Sequence, residues 1–308
     1  MQIAVIGAGS LGLLFASLLA IHTNEKIYLV TKTEEQKHLL KKEHLYLQDT
    51  DGTNYSLNVD VYSQFDDGQV VDWIFLTVKQ TDIAGIETII NKWADKHTKV
   101  LCFQNGIGHF EYLKRKIKIP IYLAVTTEGA LRKGKNQVLH TGKGEIWVGR
   151  VEEQIDDSLE DLLQLFHQAG FQAFYSEKII EKIWHKLVIN AVINPLTALF
   201  EVKNGELLED PYLKTLMNQL LREIDHVLKK AKIPIDENIA QGIEQVCILT
   251  RKNESSMLQD LKRGRITEID SITQPIIDLG KRYHLSTPLL EGITLMVHAK
   301  ENQMIKRK

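Results

Sequence analysis

Lys186, Asn190 and Asn194 stand four residues apart in the segment Lys-Leu-Val-Ile-Asn-Ala-Val-Ile-Asn. A four-residue step turns an α-helix by about 400°, so the three side chains form one polar line that drifts by roughly 40° per step. The residues between them (Leu187, Val188, Ile189, Ala191, Val192 and Ile193) are all apolar. A helix so composed is buried nearly all round, and an ammonium and two amides aimed inward must meet something that satisfies them. A small oxygen-rich ligand suits this donor set. Neighbouring backbone is the alternative, since buried polar groups are normally hydrogen-bonded.

A second constellation opens the chain. Gly7-Ala8-Gly9-Ser10-Leu11-Gly12 is G-x-G-x-x-G directly after a strand-like run and at the start of a helical one. Gly7 permits the tight turn, Gly9 lets the backbone approach a pyrophosphate, and Gly12 allows close helix–strand packing, with the phosphates on the helix N-terminus. This context points to dinucleotide binding. Some 20 residues on, an NAD site usually carries Asp or Glu for the ribose 2′-hydroxyl. Here stand Thr31, Lys32 and Thr33. A hydroxyl–cation–hydroxyl cluster suits a 2′-phosphate and favours NADP. Glu34 and Glu35 follow; they either oppose that phosphate or serve as first-turn helix acids.

Polar residues also stand where strands leave the sheet. Lys79 follows the apolar run Trp73–Val78, and Asn105 follows Lys99–Phe103 within Gln104-Asn105-Gly106. Ligands of open α/β sheets bind beyond the carboxyl ends of strands, although a helix-start lysine and a turn asparagine are the plain alternatives. Further on come Ser255, Ser256 and then Thr267-Glu268-Ile269-Asp270. Either serine could cap a helix. Ile266, Ile269, Ile272 and Ile276 form a helical stripe with Glu268 and Asp270 off its centre, which leaves open which carboxylate faces a ligand.

Positioning these groups takes two kinds of architecture. Ile3–Ile6, Lys26–Val30, Trp73–Val78, Lys99–Phe103 and Ile121–Thr126 are strand-like, and they alternate with helical stretches at Leu11–Ala20 and Ile83–Trp93. Buried strands alternating with helices predict a parallel, doubly wound sheet. Around Gly134–Gly149 the pattern turns to glycine-rich turns and alternating strands, followed by a helix at Ser158–Ala169 and a strand at Gln172–Tyr175. From Ser176 the strands stop. Lys178–Ala198, Tyr212–Ala231, Glu237–Leu249, Ile266–Tyr283 and Pro288–Gln303 read as helices. Pro211, Pro234 and Pro288 lie near helix starts, whereas Pro195 should kink or end its helix. The fold class is therefore α/β, with a doubly wound N-terminal domain over 1–176 and an all-α C-terminal domain over 177–308.

Composition bounds the function. The 308 residues give room for two cores, and 44% hydrophobic with 25% charged residues is ordinary for a globular protein. A formal net charge of −2 suggests neither a nucleic-acid nor a membrane partner, and Lys306-Arg307-Lys308 reads as a solvated tail. The two cysteines, Cys102 and Cys247, fit a reducing cytoplasm. No basic leader and no apolar run of about 18 residues is apparent, so neither export nor a membrane span is expected. The eleven histidines lack ligand spacing, and no metal site is expected. Tyr212–Val227 is either a face for a homodimer, the expected assembly, or the domain's own core.

The segments Lys186–Ala198 (Lys-x-x-x-Asn-x-x-x-Asn-Pro-Leu-Thr-Ala) and Ser-Ser-Met-Leu-Gln-Asp followed by Thr-Glu-Ile-Asp resemble the ketopantoate reductase (2-dehydropantoate 2-reductase) family. Gly7–Gly12, Val78-Lys79, Asn105-Gly106 and Asn204-Gly205-Glu206 match it in order, over residues 1 to about 290. The resemblance implies a Rossmann-type domain for NADPH and a helical domain that takes ketopantoate. By position, Lys186 would be the general acid on the ketone oxygen, and Glu268 would hold the substrate's terminal hydroxyl and orient the lysine. Asn105, Asn190, Asn194 and Ser256 would fix the substrate, with Asn204 a further candidate, and Lys79 would lie near cofactor and substrate. Where the family often has arginine for the 2′-phosphate, this chain has Lys32. The chemistry agrees: hydride addition builds negative charge on a carbonyl oxygen, where a fixed ammonium gains most in the transition state. The expected reaction is reduction of ketopantoate to (R)-pantoate, on the way to pantothenate and coenzyme A. A related 2-oxoacid reductase with another substrate and a non-catalytic dinucleotide sensor are the alternatives.

Overall fold

The computed structural model describes residues 1–151 and 158–306; of the terminal tail, Arg307 and Lys308 lie outside the described residues. The chain divides into two compact units, Met1–Gln104 with His109–Ile179, and Asn105–Gly108 with Ile180–Lys308.

In the first unit the order is β1 (Gln2–Ile6), α1 (Ser10–His22), β2 (Lys26–Thr31), α2 (Glu34–Glu43), β3 (Leu45–Gln48), β4 (Asn54–Leu57), β5 (Asp60–Ser63) and β6 (Trp73–Leu76). A short 3₁₀ turn at Gln80–Asp82 leads into α3 (Ile86–Trp93), β7 (Lys99–Cys102), α4 (His109–Lys116), β8 (Ile121–Thr126), β9 (Gly129–Arg132), β10 (Gln137–Gly142), β11 (Glu145–Arg150), α5 (Ser158–Gln168) and β12 (Gln172–Tyr175). Eight strands form one sheet in the order β12-β11-β8-β7-β6-β1-β2-β5. Neighbours run parallel except β11 against β8, an antiparallel pair that departs from the all-parallel expectation. Strands β6 and β8 are buried at every residue, as expected for strands covered on both faces. Phe15 of α1 packs on Phe103 with ring centroids 4.6 Å apart. The pairing places Gly7 N–H on Val30 C=O (3.0 Å) and Thr77 N–H on Ile6 C=O (2.9 Å), so β1, β2 and β6 end side by side.

A second sheet, β4-β3-β10-β9, was not expected as such. Its strands β3 and β4 are short with every second residue exposed, so they carry no apolar run to announce them.

The second unit comprises α6 (Ile179–Phe200), α7 (Glu206–Glu209), α8 (Pro211–Lys230), α9 (Ile239–Leu249), α10 (Ser256–Lys262), α11 (Ile269–Arg282) and α12 (Pro288–Lys306). Pro195 neither ends α6 nor stops its burial. The helix continues to Phe200, and the Thr197 hydroxyl bonds the carbonyls of Ile193 (2.9 Å) and Asn194 (3.0 Å) while Leu196 and Ala198 are buried. Packing here outweighs the lost backbone bond. By length and composition α6 could cross a membrane, with a mean hydropathy of 1.2 over its 18-residue window, contrary to the expectation of no such run. Most of that window, 61%, is buried within the fold, as for a core helix. Helix α8 turns Leu213, Met217, Leu220, Ile224 and Val227 into the unit's own core. Ile266 leaves the predicted stripe: it is exposed, and α11 starts only at Ile269.

Candidate active site

The glycine loop is built as its spacing requires. Gly7 has φ 114°, and a Cβ there would lie 2.7 Å from the Val78 nitrogen. A Cβ on Gly12 would meet the Gly7 carbonyl at 1.9 Å. Nothing lies within 4 Å of where a Gly9 side chain would point, so the backbone is open to a ligand. Helix α1 begins at Ser10 with no side-chain cap from Gly9, which leaves first-turn N–H groups, those of Ser10 and Leu11 among them, for an anion. The Ala8 carbonyl is held by Gln36 Nε2 at 2.9 Å. A cavity of about 240 Å³ continues from Gly7 past Val30, Lys32, Val78, Asp82 and Ile86. This open, uncapped cradle fits a dinucleotide.

At the end of β2 the structure revises the hydroxyl–cation–hydroxyl expectation. The Thr31 hydroxyl is buried and donates to the carbonyls of Thr33 (3.0 Å) and Tyr62 (3.2 Å). The Thr33 hydroxyl accepts the Gln36 N–H as the N-cap of α2. Only Lys32 remains, exposed and paired with Asp82 at 2.9 Å. The two acids that follow turn away: Glu34 binds Ser63 and Lys37, and Glu35 binds Lys135. Both start α2, as first-turn acids do.

Two contributors carry no local signal in the sequence. Arg132 of β9 donates its N–H to the Ser10 hydroxyl (3.2 Å) and its Nη1 to the Ala8 carbonyl (3.4 Å), which sets a cation beside the glycine loop. Asp82 reaches Lys32 from the segment after β6. Both arrive through tertiary topology. Lys79 is half-buried just before the 3₁₀ turn, where its carbonyl accepts the Asp82 N–H at 2.9 Å. Buried Gln104 locks the same loop by donating to the carbonyls of Leu76 (2.7 Å) and Val78 (3.0 Å).

In the helical unit Lys186 and Asn190 are half-buried and Asn194 is buried, on a helix whose intervening residues are buried except Ile189. The side-chain amides of Asn190 and Asn194 make no hydrogen bond among the described residues. Burial pushes the Lys186 ammonium down to about 8, and the negative charge of Glu268 opposes that shift. Glu268 stands at the start of α11 and accepts from Asn105 Nδ2 at 3.1 Å. Asn105 is carried there by a strap that crosses close to α11: a Cβ on Gly106, at φ 86°, would lie 2.2 Å from the Ser271 carbonyl. Asp270, the other carboxylate of the pair, is exposed and bonds His298 at 2.9 Å. His298 also meets Glu301 (3.0 Å), whose carboxylate accepts the Thr267 N–H (2.7 Å), so this trio braces the backbone next to Glu268.

Ser255 is the buried cap of α10, accepting the Leu258 N–H (3.1 Å) and the Thr197 hydroxyl (2.7 Å), while Ser256 is exposed in the first turn. Asn204 acts as a brace: its amide donates to the Thr250 hydroxyl at 2.8 Å and its N–H to the Asn253 carbonyl at 3.1 Å. The structure thus groups Lys186, Glu268 and Asn105, aligns Asn190 and Asn194 on the helix that bears Lys186, and gives Asn204 a structural partner.

An uncapped glycine cradle in a doubly wound unit, and a lysine of lowered basicity with carboxylate and amides in a helical one, define a class: the pyridine-nucleotide-dependent oxidoreductases. The chain belongs within that class to the ketopantoate reductase family, whose PanE/ApbA model matches residues 3–153 and whose C-terminal model matches residues 178–301. It is 31% identical to a 2-dehydropantoate 2-reductase of Archaeoglobus fulgidus over 302 residues, 98% of each chain. It is 33% identical to that of Bacillus subtilis over 276 residues, 88% of each chain. Among solved structures it is similar to D-mandelate dehydrogenase with NADH and anilino(oxo)acetate, at TM-score 0.92 and 27% identity over 99% of both chains.

Proposed function

We propose that this chain reduces 2-dehydropantoate (ketopantoate) to (R)-pantoate with NADPH, a step of pantothenate and coenzyme A biosynthesis carried out in the cytoplasm. The observation that carries the proposal is Lys186, held near pKa 8 by burial and flanked electrostatically by Glu268, on a helix that presents two amides with no hydrogen bond among the described residues. The bound nicotinamide cofactor supplies the hydride. The chain's own residues do the rest. The Lys186 ammonium donates its proton to the ketone oxygen as charge develops there, an interaction that strengthens toward the transition state. Asn190, Asn194 and Ser256 orient the oxoacid by hydrogen bonds. Glu268, with Asn105 on one oxygen, accepts the substrate's hydroxyl and keeps the lysine charged at neutral pH. Lys32 serves the cofactor's 2′-phosphate, and the first-turn amides of α1 its pyrophosphate.

A second reading, reduction of an aromatic 2-oxoacid, is favoured by the similarity to D-mandelate dehydrogenase. A substrate panel separates the two. Ketopantoate, phenylglyoxylate and two branched 2-oxoacids are compared by kcat/KM with NADPH. Ketopantoate should lead by at least tenfold; a lead by phenylglyoxylate keeps the mechanism and replaces the substrate.

A further inference from the structure

The cofactor pocket of the first unit contains a carboxylate that the glycine motif does not call for. Asp82 lies after β6, on the wall facing β2, and its Oδ1 meets Lys32 Nζ at 2.9 Å. Both residues line the cavity that runs from Gly7. The other nearby acids are engaged elsewhere, Glu34 by Ser63 and Lys37, Glu35 by Lys135 and Asp66 by Lys37. Asp82 is the acid committed to Lys32, and its backbone is fixed by the bond from its N–H to the Lys79 carbonyl.

We propose that Asp82 sets the cofactor preference of this chain: it competes with a 2′-phosphate for Lys32 and offers an acceptor to a ribose 2′-hydroxyl, so that NADH is accepted as well as NADPH. The inference rests on the reading of this cavity as a dinucleotide site. A 2′-phosphate brings a charge of about −1.5 to −2. It meets a cation already neutralised by Asp82, and it must displace a like charge from that cation. A 2′-hydroxyl meets both partners it needs, the carboxylate as acceptor and the ammonium as donor. Side-chain exposures of 68% for Lys32 and 38% for Asp82 make the pair a weak, exchangeable one, so either ligand can rearrange it. Asp82 thereby does from the opposite wall what an acid at the end of β2 does in an NAD site, where this chain has Thr31-Lys32-Thr33.

The test titrates the full-length protein, Asp82→Asn and Lys32→Gln with NADPH and NADH by fluorescence, and with adenosine 2′,5′-bisphosphate and AMP by calorimetry. Asp82→Asn should tighten both 2′-phosphate ligands about three- to tenfold and weaken NADH, with the gain shrinking as salt is raised. Lys32→Gln should weaken the 2′-phosphate ligands about tenfold and leave NADH within about twofold. Equal changes for NADPH and NADH in Asp82→Asn, or none for either, overturn the assignment. The nucleotide fragments carry no nicotinamide and need no oxoacid. A shifted ratio in a protein that reduces no 2-oxoacid therefore upholds Asp82 and ends the proposed function, whereas full reductase activity with an unmoved ratio does the reverse.

Discussion

Replacing Glu268 by Gln tests the coupling on which the proposed proton transfer depends. The change removes a negative charge and keeps an oxygen that can still accept from Asn105 Nδ2, now at 3.1 Å. Two opposed effects set the basicity of Lys186: burial lowers it, Glu268 raises it, and burial wins to leave it near 8. A general acid must be protonated, so kcat/KM for ketone reduction should be flat below pH 8 and fall about tenfold per unit above it. Without the carboxylate only burial remains, and an opposite charge close by is worth about one pKa unit or more. The descending limb should therefore move down by about one unit, which makes the variant about fivefold more impaired at pH 8 than at pH 6. The assay is initial-rate nicotinamide oxidation from pH 6 to 10 at saturating cofactor, with ketopantoate well below KM. A uniform loss at every pH, with the inflection unmoved, would refute the claim that Glu268 acts on the charge of Lys186.

Three further outcomes follow from the same geometry. Lys186→Ala should lower kcat about 10²- to 10⁴-fold while NADPH affinity, read by fluorescence titration, stays within about twofold; normal turnover would remove the lysine from the chemistry. Gly12→Ala should abolish dinucleotide binding, because its Cβ would lie 1.9 Å from the Gly7 carbonyl; undiminished affinity would show that the loop rearranges freely. Buried His109, pushed down to about 4 from 6.5, binds its proton more readily in the unfolded chain, so its contribution to stability falls as pH drops from about 6.5 to 4. His140 and His298, raised by their acidic partners, contribute in the opposite sense, stability that is present at low pH and lost as pH rises. The comparison is therefore between wild type and His109→Gln in urea midpoints at pH 7 and 5. The variant should lose less on acidification, and an equal loss in both would exclude His109.

What the sequence made legible follows from periodicity. The buried strands β1, β6 and β8 are largely apolar runs, and the four-residue spacing of Lys186, Asn190 and Asn194 survives along one helix, with the first two half-buried and Asn194 buried. Short amphipathic strands such as β3 and β4 give no such run, and the second sheet went unseen with them. The continuation of α6 past Pro195 depends on packing around Leu196 and Ala198 that a local rule cannot contain. The carboxylate question at Glu268 and Asp270 needed partners more than 25 residues away, Asn105 for the first and His298 for the second. Arg132 and Asp82 were invisible for the same reason. Thr31 and Thr33 misled in the other direction, since their hydroxyls offered phosphate donors in composition but serve the local backbone in the fold.

The central claim, that this chain is a reductase whose proton comes from Lys186, is tested most directly by one measurement. Nicotinamide absorbance is followed after ketopantoate is added to NADPH with the wild-type protein and, in parallel, with Lys186→Ala. Rapid decay with the first and decay slowed about 10²- to 10⁴-fold with the second is the predicted result. No decay with the wild-type protein, despite tight NADPH binding, would contradict the claim and leave a dinucleotide sensor in its place.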